Sequence, residues 1–398
     1  MIVFVQHKLG RVLLLFALTF LITFCTDDPT SIGDDLIPDG DKVEIKTISS
    51  LENNFSQTFS TFKKDSLYYG SSRRLLLGNY ENLSIEMLLG FAILLPDSLK
   101  KQLDSNETIL TKSWIEMQQN YWIGDSTQLS FSVHKINESW TSVQFDDDTL
   151  ASIKSTMGGD ILLPSTYSFT DSLITLQIDN EVVDEWVART YDKDKPQNNG
   201  LLFSPISNTG ILGFQALNAL PSSRFITLKL VFEKQGSYID TISSVPSIDI
   251  HSVTSTLPTN PTGSTILQSS SSVRGKLWFD VSEVPSDIII NKATLDLFID
   301  EANTTQGNIK TDTVAIGYYE LSEVNRNFGL VPLFKKDKSY SGDLRSFVQR
   351  WSNGDENEGV QVVLSDENRT ASTIAFYNSS NAVDSLKPRL TIHYTKQK

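Results

Sequence analysis

The chain has 398 residues, 39% hydrophobic and 10% aromatic, with 34 Lys plus Arg against 48 Asp plus Glu and a formal net charge of −14. That composition excludes a disordered chain, and the length exceeds one typical domain, so two are expected. The acidic balance disfavours nucleic acid and anionic lipid headgroups as partners, and a single cysteine excludes disulfides within the chain and thiolate metal clusters.

At the amino terminus, Lys8 and Arg11 adjoin an almost wholly apolar run, Val12 to Phe24. The run is too short for a comfortable membrane span and predicts a signal peptide over residues 1–24. It ends in Ile22-Thr23-Phe24-Cys25, which resembles a lipoprotein cleavage box with Phe24 in place of the usual small residue. The resemblance implies that Cys25 is acylated, becomes the mature amino terminus and makes the lipid bilayer a partner. Each buried methylene of its acyl chains contributes roughly 0.8 kcal/mol. Asp27-Asp28 resembles the signal that sends lipoproteins to the outer face in one group of Gram-negative bacteria, which implies an outer-membrane, cell-surface location. Removing residues 1–24 removes Lys8 and Arg11 and no acidic residue, taking the charge from −14 to −16. Residues 25–41 are Asp-, Gly- and Pro-rich and read as a flexible tether.

Beyond the tether, alternation with period two dominates. Leu129, Phe131 and Val133 alternate with Ser130, Ser132 and His134; Ile226, Leu228, Leu230 and Phe232 alternate with Thr227, Lys229 and Val231; Leu390, Ile392 and Tyr394 repeat the pattern. One face of each segment meets a core and the other meets water, as antiparallel sheets require. Two short helices interrupt this. Asp179 precedes the stripe Val182, Val183, Trp186 and Val187, and Asp343 precedes Leu344, Phe347, Val348 and Trp351. Each Asp is placed to cap, and each Trp is placed to plug the end of a sandwich.

The order of segments repeats. VEIKTISS (43–50) matches IDIHSVTS (248–255), LLGF (88–91) matches KLWF (276–279), and TKSWIEM (111–117) matches NKATLDL (291–297). NNGLLFS (198–204) then matches NEGVQVVLS (357–365). The expected fold class is therefore all-β, two tandem jelly-roll-like sandwiches over 42–235 and 246–398, each with one short helix. The second is expected to fold alone.

The second copy, with KLWFDVSEVPSDIIINKATLDLFI, GDLRSFVQRWSNGDENEGVQVVL, STIAFYNSS and KPRLTIHY, resembles the DNRLRE family of extracellular β-sandwich repeats. The likeness runs through Lys276 to Ile299 and Gly342 to Tyr394, and weakly through the first copy. It implies a jelly-roll-like sandwich with a non-catalytic accessory role, commonly carbohydrate binding or surface adhesion.

No catalytic motif stands out. His134, His251 and His393 are scattered along strands, and no phosphate loop or nucleophile elbow appears. No cofactor is expected. Asp146-Asp147-Asp148 could hold a structural calcium, although adjacent carboxylates cannot all face one ion, and a solvated loop fits better. Sugar binding needs exposed rings to stack on pyranose faces. The candidates are Tyr121 and Trp122 before Gly124-Asp125, Tyr318 and Tyr319, one of which must face outward, and Tyr377 before Asn378. Tyr68-Tyr69, before Gly70, is a further pair. The leading expectation is a surface lipoprotein that binds polysaccharide. The alternative is a structural or adhesion protein binding envelope proteins or its own neighbour, and a hydrolase or lyase ranks last.

Overall fold

A computed structural model describes residues 44–64, 69–125, 130–163, 168–170, 172–207, 209–219, 226–319 and 329–396. The signal segment, Cys25, the tether and Tyr68 lie outside the described residues.

The chain is all-β, with strands paired antiparallel in two curled sheet systems. The first half runs β1 (Glu44–Ser49), β2 (Gln57–Lys63), β3 (Arg74–Tyr80), β4 (Leu83–Phe91), α1 (Asp97–Asp104), β5 (Ile109–Gly124) and β6 (Phe131–Lys135). There follow α2 (Asp147–Thr156), β7 (Ser168–Thr170), β8 (Leu173–Gln177), α3 (Asn180–Ala188), β9 (Leu201–Pro205), β10 (Gly210–Gln215) and β11 (Thr227–Lys234). β12 (Tyr238–Ser244) and β13 (Pro246–Ser255) join the halves. The second half has β14 (Ser264–Gln268), β15 (Val273–Phe279), β16 (Ile289–Phe298), β17 (Thr313–Tyr318), β18 (Val331–Lys336) and β19 (Ser339–Asp343). It closes with α4 (Arg345–Ser352), β20 (Val360–Leu364), β21 (Thr373–Tyr377) and β22 (Arg389–Lys396).

Two cores follow from the alternation. In β16 the residues Ala293, Leu295 and Leu297 are buried, and they share a core with Leu277, Ile316, Phe347, Phe376 and Leu390. The first sandwich packs Leu77, Met87, Ile115, Phe203, Phe214, Leu228 and Trp186. Of the expected caps, Asp179 is the N-cap of α3 and accepts the Glu181 N–H at 2.9 Å, whereas the N-cap of α4 is Leu344, and Asp343, one residue before it, accepts the Arg345 N–H at 2.9 Å. Trp186 and Trp351 are both buried at the ends of their helices. The expectation of one helix per sandwich fails for the first, which also carries α1 and α2 in its long insertions.

The strand partners correct the sequence-based division. β1 pairs with β22 and β2 with β15, so residues 44–63 complete the second sandwich. β13 pairs with β4 along its length and β12 pairs with β11, so residues 238–255 complete the first. Each half therefore donates its leading strand pair to the other half. The match of 43–50 with 248–255 joined strands with different partners. The structural equivalent of IKTISS (45–50) is IDTISS (239–244), identical at five of six positions. Ile45 lies opposite Thr395 and then Ile289, while Ile239 lies opposite Glu233 and then Ile109, the same place in both lattices.

The duplication extends to single hydrogen bonds. Asn198 accepts the Gly200 N–H at 3.0 Å and donates to the Phe91 carbonyl at 2.8 Å; Asn357 accepts the Gly359 N–H at 3.1 Å and donates to the Phe279 carbonyl at 2.8 Å. Gly200 and Gly359 both adopt positive φ, 90° and 85°, where a Cβ would strike the carbonyl oxygens of Leu89 and Leu277. This corner fixes where β9 and β20 enter their sheets.

Strand β13 carries two buried titratable groups with opposed pH effects. Burial pushes Asp249 up to about 6, against one hydrogen bond from the Leu217 N–H, and pushes His251, which packs on Tyr69, down to about 3. Unfolded values are about 3.9 and 6.5. As pH falls from 6 to 4, native Asp249 takes a proton that the unfolded chain does not, which stabilises the fold. Over the same range unfolded His251 takes a proton that the native ring refuses, which destabilises it. The two slopes oppose. Asp249→Asn should leave a first sandwich that loses about 2 kcal/mol between pH 6 and 4, and His251→Leu one that gains a similar amount. Urea titrations of both variants across that range check this, and equal slopes would refute it.

Candidate functional site

The row of residues crossing the middle of each sheet exposes the clearest difference between the repeats. In the first sandwich it reads Ile250, Leu88, Leu202 and His134 in successive strands. In the second the same row reads Ser60, Lys276, Gln361 and Gly317. The first row is covered: α2 lays Leu150 and Ile153 over Leu88, Leu202 and Ile250, with Ile136, Trp140 and Phe145 around them. Among the described residues no helix covers the second row, and Ser60, Lys276 and Gln361 make it polar.

The parity of the strands assembles the rest of this outer face. In β17, Val314, Ile316 and Tyr318 join the core, which leaves Ala315, Gly317 and Tyr319 on the other side. In β15, Leu277 and Phe279 point in, leaving Lys276 and Trp278 outward and partly exposed. Small residues at 315 and 317 leave a low floor, and a Cβ on Gly317 would lie 2.7 Å from Leu330 Cδ2. Lys64, Arg274, Ala315, Leu330, Gln361 and Glu367 are among the residues lining a groove of about 420 Å³. That volume lies within the range of small-ligand sites, about 300–1,000 Å³.

The polar groups of the groove are held in place. Arg274 Nε and Nη2 donate to Glu367 Oε1 and Oε2 at 2.7 and 2.6 Å, a bidentate pair with both side chains mostly buried. Arg274 Nη1 donates to Gln361 Oε1 at 2.8 Å, and Gln361 Nε2 donates to the Tyr318 carbonyl at 3.1 Å. Beside the groove, Tyr319 packs edge-on against Phe62 with centroids 5.1 Å apart, and the Lys276 ammonium sits 3.7 Å from the Tyr319 ring centre. Pre-set donors and acceptors next to partly exposed rings can hydrogen-bond hydroxyls and contact a sugar face without first reorganising.

The predicted stacking residues separate into three groups. Tyr121 is fully buried where the sandwiches meet, with its hydroxyl accepting the Ala371 N–H at 2.9 Å. Tyr318 is buried against Phe347, centroids 4.6 Å apart. Neither can stack on a ligand: β5 continues to Gly124, with a bulge between Gln119 and Tyr121, and the second half covers its end, while strand parity turns Tyr318 into the core. Trp122 is 41% exposed, but it stands at the seam between the halves, its backbone N–H donating to Asn308 Oδ1 at 2.9 Å. Tyr377 is partly exposed at the end of β21, away from the groove lining. None of the five is among the residues lining the groove; Tyr319 is linked to it through Phe62, opposite Arg274, and through Lys276, opposite Gln361.

Tyr69 is partly buried and donates to the Ser270 carbonyl at 2.6 Å. Asp146 caps α2, accepting the Thr149 N–H at 2.8 Å and the Thr149 hydroxyl at 2.6 Å. Asp147 and Asp148 follow in the first turn, where the helix dipole favours them. Among the described residues no three His, Cys, Asp or Glu side chains gather as a metal site. Arg274, Gln361, Glu367, Ala315 and Gly317 were missed, because only the strand register brings them together.

Among the described residues no helix is long and apolar enough to cross a membrane. No family model matches the chain, and no curated protein matches it. Among solved structures, the C-terminal domain of the Streptococcus agalactiae AgI/II polypeptide BspA is similar at 9% identity, over 86% of this chain and 91% of that one. Its TM-score is 0.18, too low to carry any argument about this chain.

Proposed function

We propose that this chain is a non-catalytic cell-surface lipoprotein that binds extracellular polysaccharide across the outer face of its second sandwich. The carrying observation is the row that is apolar and helix-covered in the first repeat but polar at Ser60, Lys276 and Gln361 in the second, beside the groove. Where the first repeat has Leu88 and Leu202, the second has the partly exposed polar side chains of Lys276 and Gln361 beside a groove. Acylation of Cys25 and the polar tether hold that face near the membrane, at the outer surface if Asp27-Asp28 acts as an export signal.

A glycan array probed with the full chain tests the reading. Gln361→Ala removes a pre-set hydrogen-bonding group and should weaken retained glycans roughly tenfold, the effect of about 1.4 kcal/mol. Gly317→Val fills the floor against Leu330 and should weaken them more. Trp122→Ala, at the seam, should leave binding unchanged. An array with no retained glycan, or retention indifferent to both groove variants, would sink the proposal.

A further inference from the structure

The exchange of leading strand pairs raises a question about what the second sandwich can accept. In the first sandwich the donor is covalently next in line: β11 turns directly into β12, with Lys234 opposite Tyr238. In the second, the equivalent donor is β1, whose Glu44 lies opposite Lys396, near the far end of the chain. The acceptor is thus completed by a segment distant in sequence, β1 lying more than 300 positions from β22 and β2 more than 200 from β15. Nothing in the β22 and β15 edges distinguishes the chain's own β1 and β2 from those of a neighbour.

The donor is anchored at one end, by buried Ser49, Ser50, Phe55 and Phe59, and exposed at the other. In β1, Ile45, Lys46 and Thr47 are exposed, with Thr47 Oγ1 hydrogen-bonded to His393 Nδ1 at 2.8 Å, Ile48 packs only partly on the core, and among the described residues β1 pairs only with β22. The apolar hold comes chiefly from Phe55 and Phe59. The exposed start of β1 is an edge, where a sheet opens most readily, while release of the whole pair requires withdrawing Phe55 and Phe59 from the core. Exchange of an identical element between copies then adds no new contact and removes none.

We propose that the β1–β2 pair of one molecule completes the second sandwich of another, so that the partner for this surface is a second copy of this chain. The donor rule already operates within the molecule, where the pair leading the second repeat completes the first. Applied between copies, it joins chains through the contacts that now close each one on itself. Closure within one molecule competes through an effective concentration on the order of millimolar, so exchange grows with protein density.

The test uses full-length chains carrying Cys25→Ser, so that introduced thiols are the only ones. Thr47→Cys and His393→Cys, which face one another across the β1–β22 ladder, are placed on separate chains and mixed under mild oxidation. One arm mixes native protein, and a second passes the mixture briefly through urea near the unfolding midpoint before refolding. The control pairs Thr47→Cys with Ser380→Cys on an exposed loop. We expect a reducible heterodimer above the control in at least one arm, its fraction rising about tenfold for a tenfold rise in concentration while monomer predominates. Heterodimer no greater than control in both arms would overturn the proposal.

Discussion

A chain that begins at residue 64 should lose its second sandwich and keep its first. Removing β1 and β2 strips β22 and β15 of one neighbour each and takes Phe55 and Phe59 out of the core, where Phe59 lies 6.2 Å from Phe376. Deleting a buried phenylalanine costs about 3–5 kcal/mol, so the pair alone removes roughly 6–10 kcal/mol, comparable with the whole stability of a typical domain. The first sandwich retains β3 to β13 and every strand that pairs within it. Thermal unfolding of residues 64–398 should show one cooperative transition, that of the first sandwich. A fragment of residues 246–398 should fail as well, since it carries β13 without β4 and lacks β1 and β2. The expectation that the second repeat folds alone does not survive the strand partners. A second sandwich unfolding cooperatively in the truncated chain, with its midpoint unchanged, would refute this.

Replacing Trp351 with alanine should destabilise the second sandwich by about 3–5 kcal/mol. The ring is 7% exposed, packs on Phe347 at 6.0 Å between centroids, and closes the core together with Leu344 and Val348. Its indole N–H has no hydrogen-bond partner among the described residues, so packing alone accounts for its place there. Trp351→Phe should therefore recover most of the loss. Trp186 occupies the same position in the first sandwich and also lacks a partner for its N–H. Trp186→Ala should lower the first transition and spare the second. Urea denaturation followed by circular dichroism reads each transition. A Trp351→Ala chain of normal stability that had lost glycan binding would contradict the packing role.

The fold class was legible because alternation and capping are local. Leu390, Ile392 and Tyr394 mark one buried face wherever β22 finds its neighbours, and Asp179 and Asp343 act within a few residues of their helices. The strand exchange was not legible. Period-two patterns say which face is buried, not which strand lies alongside, so 43–50 and 248–255 matched as patterns while occupying different positions. The closer match, IKTISS with IDTISS, was present in the chain but joined a strand at the start of the first repeat to one after its last.

The site divides along the same line. Adjacent tyrosines 318 and 319 had to face opposite ways, and parity places Tyr319 outside. Gly124-Asp125 signals a turn just after Tyr121, but burial of Tyr121 comes from the other half of the chain, which no local pattern records. Gln361 and Gly317 carry no motif. Their meaning comes from Leu202 and His134, which hold the same places in the first repeat.

The reciprocal exchange is tested most directly by two double-cysteine variants of the full chain in the Cys25→Ser background. Opposed residues of an antiparallel pair stand about 4.5–5.5 Å apart at Cα, within reach of a disulfide. Thr47→Cys with His393→Cys should close a disulfide within one molecule, because β1 lies on β22. Thr47→Cys with Val231→Cys should stay reduced. Residue 47 would meet Val231, the partner of Thr241, only if β1 took the place of β12 in the first sandwich. A reduced first variant together with an oxidised second would mean that each repeat keeps its own leading strands.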